Sequence, residues 1–216
     1  MNIRTARHAI CLLVLMTCAT IAKPQPLPAE PFVALDTSGP ITYFIDTGTP
    51  ESAYREGDRE LARWALDNWE RAAKGVLRFE PAPEKDALVR IYFASASSGQ
   101  YGETMAFTMN GRRGAAVFVR PDTRAFGPPL ADAAARDRLL RDTIVYLTCL
   151  HELGHALGLS HTERYADIMY SFGYGGDIPA YFDRYRRRLA TRNDITGVSG
   201  LSNDDSARLL ALYDIP

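Results

Sequence analysis

Histidine is scarce in this sequence. Its 216 residues hold four, with none between His8 and His151. Any site built from imidazoles must therefore lie in the last third of the chain. Cysteine is scarcer: Cys11, Cys18 and Cys149. Two of these fall in the first 18 residues, so the body of the chain cannot rest on a disulfide framework. The formal net charge is −1, which excludes a global field that would draw nucleic acid or an anionic membrane surface. The longest apolar run, "AICLLVLMTCATIA" (9–22), is shorter than the about 20 residues of a membrane-spanning helix. No repeat or low-complexity block is visible. What remains, 46% hydrophobic and 24% charged residues, is the composition of a soluble globular domain long enough to bury its own core.

The apolar run has its own reading. Arg4 and Arg7 precede it, and the small residues Thr20 and Ala22 stand at −3 and −1 of a cut after Ala22. Residues 1–22 thus read as a secretory signal peptide. An uncleaved anchor is an alternative. So is acylation of Cys18 in "LMTC", which Met16 and Thr17 fit poorly. Residues 23–38 are Pro-rich and read as an extended leader or short pro-segment, leaving 39–216 as one domain. Cleavage would leave Cys149 alone, a buried thiol in an apolar helical run. The expected product is a secreted monomer, extracellular or periplasmic, with no membrane or nucleic-acid partner.

Along the domain, "ITYFIDTG" (41–48) has strand composition. Residues 55–75 read as a helix with Leu61, Trp64, Ala65, Trp69 and Ala72 on one face and Gly75 as its stop. Strands are predicted over 87–95, 103–109 and 115–120, the last two joined through Asn110-Gly111, a hairpin turn signal. Residues 137–158 form a long predicted helix. Residues 201–213 form a closing one, with Ser202 as cap and acids in the first turn. This order gives an α+β domain with one sheet and three helices. The charge run "DRYRRRLATR" (183–192) reads as a solvated helix face.

The three remaining histidines fall in "HELGHALGLSH" (151–161). His151 and His155 are four residues apart on the predicted helix, so both imidazoles leave the same face and can chelate one zinc ion. Glu152 is rotated off their axis, free to act on a water. Gly158 can take a positive φ and end the helix sharply, so that His161 returns as a third ligand.

That stretch resembles the extended zinc signature of the metzincin proteases at every defining position. "ADIMYS" (166–171) follows where their methionine turn stands, with Met169 beneath the metal. "IMY" and "LSNDDSARLLALY" bring the chain closest to the matrixins, the matrix-metalloprotease-like peptidase M10 group. There, Asp204 and Asp205 would open the last helix and tie it to the methionine turn. The resemblance implies a twisted mixed sheet of about five strands with an antiparallel edge strand. It implies a zinc endopeptidase in which Glu152 is the general base and the substrate is an extended peptide or protein. "ETMAFTM" would be the edge strand, with Met105, Ala106 and Phe107 along the substrate. Leu147 would face the pocket for the residue after the scissile bond, with Tyr170 and Tyr174 as candidate walls.

There are departures. The sheet region offers no histidine for a second, structural zinc, so one catalytic ion is expected. The 95–114 region has one carboxylate, Glu103, which leaves calcium uncertain. No cysteine switch precedes the domain; Glu30 and Asp36 are the leader acids that could reach a cleft metal instead. The 172–200 stretch is longer than usual. A non-catalytic zinc-stabilised binding module is the alternative function, and it would need the histidines but not Glu152.

Overall fold

A computed structural model describes residues 33–95 and 101–216. The signal-peptide reading (1–22), residues 23–32 of the leader, and Glu30 with them lie outside the described residues.

Five strands form one sheet: β1 (Ile41–Ile45), β2 (Phe79–Pro81), β3 (Val89–Phe93), β4 (Gly102–Met109) and β5 (Arg112–Val119). Their spatial order is β2-β1-β3-β5-β4. All neighbours are parallel except β4, which runs antiparallel to β5 at the sheet edge. The mixed sheet with an antiparallel edge strand is therefore the one expected. Asn110 and Gly111 carry φ of 52° and 77°, the paired positive angles that a two-residue hairpin turn needs to match strand twist.

Two long helices cover one face of the sheet. Helix α1 (Asp58–Ala72) buries Leu61, Ala65 and Trp69 completely. Trp64, expected on the same buried face, is only half-buried, and the Arg192 guanidinium lies 4.5 Å over its ring. Helix α3 (Arg138–Ala156) is buried along most of its length, and Cys149 is sealed within it. Asp58 pairs with buried Arg141, whose Nη2 donates to Asp58 Oδ2 at 2.7 Å and locks α1 against α3. The Trp69 indole N–H donates to the Leu150 carbonyl at 2.9 Å, so a core residue also fixes the helix one position before His151.

Helix α5 (Asn203–Leu212) closes the chain. Two further helices stand outside the three expected, one of them starting before the 183–192 run that was read as a solvated helix face. Helix α2 (Pro128–Arg136) opens on two prolines, which suit a first helical turn. Helix α4 (Ile178–Arg186) lies inside the long 172–200 stretch and buries Tyr181, Phe182 and Tyr185. The arginines of the 183–192 run are not merely solvated. Arg184 stacks on Tyr181 at 4.7 Å, Arg186 bonds Asp137 at 2.8 Å, and Arg192 bonds Glu60 and Asp142 at 2.7 and 3.2 Å. This face fastens the stretch to α1 and α3. Among the described residues, no helix is long and apolar enough to cross a membrane.

Candidate metal centre

The end of α3 shapes the site. Leu159 N–H bonds the Gly154 carbonyl at 2.9 Å and Gly158 N–H bonds the His155 carbonyl at 3.0 Å, the paired bonds of a Schellman motif. Gly158 has φ +106°, a conformation that costs little only without a side chain. The turned-back chain then does two things. Its Leu159 carbonyl meets His155 Nδ1 at 2.8 Å, and it brings His161 across to the helix.

His161 Nε2 lies 3.2 Å from His151 Nε2 and 3.1 Å from His155 Nε2. Tetrahedral zinc with Zn–N bonds of about 2.0–2.1 Å sets its nitrogens about 3.3–3.4 Å apart. The donor set therefore fits such an ion. The opposite ring nitrogens agree: His151 Nδ1 is 2.6 Å from the Ile168 carbonyl, and His155 Nδ1 meets Leu159 as above. A carbonyl can only accept, so each Nδ1 carries the proton and each Nε2 offers its lone pair inward. Burial also keeps the rings neutral, as ligands must be. It pushes His155 down to about 3 and His161 down to about 4, and lowers His151. Among the described residues, these three are the group whose donor atoms lie close enough to share an ion, all within 4.8 Å.

Glu152 is buried beside them, 6% exposed. Burial raises its carboxyl to about 7, while a hydrogen bond from the Thr104 hydroxyl pulls the other way. That hydroxyl lies 2.8 Å from Glu152 Oε2. Thr104 belongs to β4, and nothing in its sequence neighbourhood pointed to this contact.

Met169 is fully buried under the helix. A Cβ on Gly154 would sit 2.2 Å from its sulfur, so the first glycine of the motif makes room for the methionine. Asp205 holds this turn from below, accepting from Ile168 N–H at 2.7 Å, Met169 N–H at 3.3 Å and Ser202 N–H at 2.9 Å. Asp204 does not share that role: it pairs with Arg164 at the surface. Buried Asp167, which the sequence reading passed over, accepts from the hydroxyls of Thr162 at 2.9 Å and Ser202 at 2.8 Å.

Along β4, Met105 is 55% exposed, Ala106 is exposed, and Phe107 is half-buried with the Arg90 guanidinium 4.5 Å over its ring. Leu147 lines a pocket of about 230 Å³ together with Ile168, Tyr181, Tyr185, Gly200 and Leu201. The tyrosines of that pocket come from α4. Tyr170 and Tyr174, the residues expected as walls, are not among its lining. Tyr170 is buried and donates to the Gly175 carbonyl at 2.9 Å, and Tyr174 is 58% exposed. Asp36 is also engaged elsewhere, with Arg112 at 3.1 Å and Ser38 N–H at 2.9 Å.

Comparison with known proteins agrees with this geometry. Interstitial collagenase from Sus scrofa is 30% identical over 140 residues, 64% of this chain and 28% of its own length. Macrophage metalloelastase from Oryctolagus cuniculus is 30% identical over 143 residues, 62% of this chain and 28% of its own length. The chain thus spans under a third of the relatives it matches. Residues 36–202 match the sequence model of the Matrixin family, and the chain belongs to that family of zinc-dependent metalloproteases.

Proposed function

We propose that the chain is a zinc endopeptidase that cleaves extended peptide segments of protein substrates, with Glu152 as general base. The convergence of three neutral imidazoles at their Nε2 atoms beside a buried carboxyl carries this reading. His151, His155 and His161 would hold one zinc. When bound, the metal would supply Lewis acidity, polarising the scissile carbonyl and acidifying the attacking water. Glu152 takes the proton from that water and passes it to the leaving amine, the exchange expected of a carboxyl whose affinity for protons is near neutrality. The free edge of β4 receives the substrate backbone as an added strand. Leu147, with the α4 tyrosines, borders the pocket that takes a substrate side chain. Met169 and Asp205 act on the site through the turn that holds His151.

The test is a peptide-library digest by the zinc-loaded chain. Cleavage within peptides, abolished by a chelator and restored by zinc, is expected. Stoichiometric zinc with no cleavage of any peptide would leave the binding-module reading in its place. We further propose export with cleavage after Ala22. Intact mass of the exported form should then give an N-terminus at Lys23; a lipidated Cys18 would refute it.

A further inference from the structure

Thr104 and Gly102 lie two residues apart on β4, so they present to the same face of the strand. That face meets Glu152. The Thr104 hydroxyl lies 2.8 Å from Glu152 Oε2 and 2.9 Å from the Glu152 carbonyl oxygen. One hydroxyl has one proton, and the Glu152 carboxylate, once ionised, is the stronger acceptor. On the other side, a Cβ at Gly102 would stand 2.4 Å from Glu152 Oε1, 2.5 Å from Cγ and 2.7 Å from Cδ. The carboxylate is thus seated between a bare stretch of backbone and a β-branched hydroxyl, whose rotamers are few. A glutamate side chain has three rotatable bonds, and without such a seat its carboxylate would occupy several orientations.

We infer that Thr104 is the positioning residue for Glu152. Its hydroxyl commits Oε2 and so fixes the oxygen left to handle the proton, while Gly102 supplies the space. The edge strand therefore has two tasks: its outer edge takes the substrate backbone, and its inward face sets the base. This inference rests on Glu152 being the general base.

The test compares Thr104→Val, which keeps the shape and removes the hydroxyl, with Thr104→Ser, which keeps the hydroxyl. In the zinc-loaded chain, Thr104→Val should lower kcat at least about tenfold, because a misplaced catalytic group costs up to about 10²-fold. KM and zinc content should hold, and Thr104→Ser should recover most of the loss. In crystals of the metal-free chain, Glu152 should keep one rotamer in the parent and in Thr104→Ser and take several in Thr104→Val. In a Glu152→Ala background, Thr104→Val should cost nothing further. Parental kcat in Thr104→Val overturns the inference. So does Thr104→Ser as slow as Thr104→Val, or an equal loss in the Glu152→Ala background. Full turnover by Glu152→Ala itself would instead refute the function proposed above. If Thr104→Val fails to fold, Thr104→Ala carries the same expectations.

Discussion

Asp205 and Asp204 are neighbours of identical chemistry, yet the fold uses them differently, so replacing each by alanine is a controlled perturbation. Asp205 is fully buried and accepts from Ile168, Met169 and Ser202 N–H groups. Asp205→Ala strands two buried backbone donors, at about 1–3 kcal/mol each. It also removes the capping box of α5, worth about 1 kcal/mol. The sum is about 3–7 kcal/mol, a large part of the about 5–15 kcal/mol that holds a domain folded. For a chain of this size each kcal/mol moves Tm by about 2–4 °C, so a fall of at least about 6 °C is expected. Ile168 also holds His151 through its carbonyl. Loss of its support should weaken zinc binding about 10- to 100-fold. Asp204→Ala breaks only an exposed pair with Arg164, the two side chains 43% and 61% exposed, worth about 0–1 kcal/mol. Thermal unfolding with and without zinc, and competitive zinc titration, read both variants. Equal shifts in Tm for the two would refute the reasoning, as would unchanged zinc affinity in Asp205→Ala.

Gly158→Ala should weaken zinc binding at least about tenfold while the rest of the fold persists. The residue needs φ +106°, and an added Cβ would stand 2.7 Å from backbone atoms of Val33; zinc titration checks it, and parental affinity contradicts it. The metal-free chain should lose stability as pH falls from about 7 toward 4. Between pH 6.5 and about 4, the unfolded chain takes up protons on His151, His155 and His161 that the folded chain refuses, so acidification favours unfolding. Glu152, raised from 4.5 to about 7, acts in the opposite sense between those values, one group against three. Melting curves across this range check the balance, and a Tm that rises on acidification would overturn it.

The cluster of His151, His155 and His161 was legible because its geometry is local. Helical spacing aligns His151 with His155, and a glycine at 158 is what a returning chain requires. The hairpin at Asn110-Gly111 was legible for the same reason. Thr104 was not: it meets Glu152 across 48 positions of sequence, and no periodicity says which strand faces which helix turn. Asp167 reaches Ser202 across 35 and was hidden for the same reason. Helix α4 was obscured by its charge. Its buried stripe of Tyr181, Phe182 and Tyr185 follows helical spacing and an Asp177 cap, but the arginines among them made the run look solvated. Strand β2 is three residues long and ends at Pro81, too brief to register as a pattern. The acids opening α5 looked equivalent in sequence. Only burial separates the one that holds the Ile168–Met169 backbone from the one that faces water.

The central claim, that Glu152 moves the proton while the three histidines hold the metal, separates binding from turnover. Zinc content and peptide hydrolysis measured together on Glu152→Ala test it most directly. The account predicts about one zinc per chain, an unchanged fold, and kcat/KM lower by at least about 10²-fold. Parental turnover by that variant would contradict it.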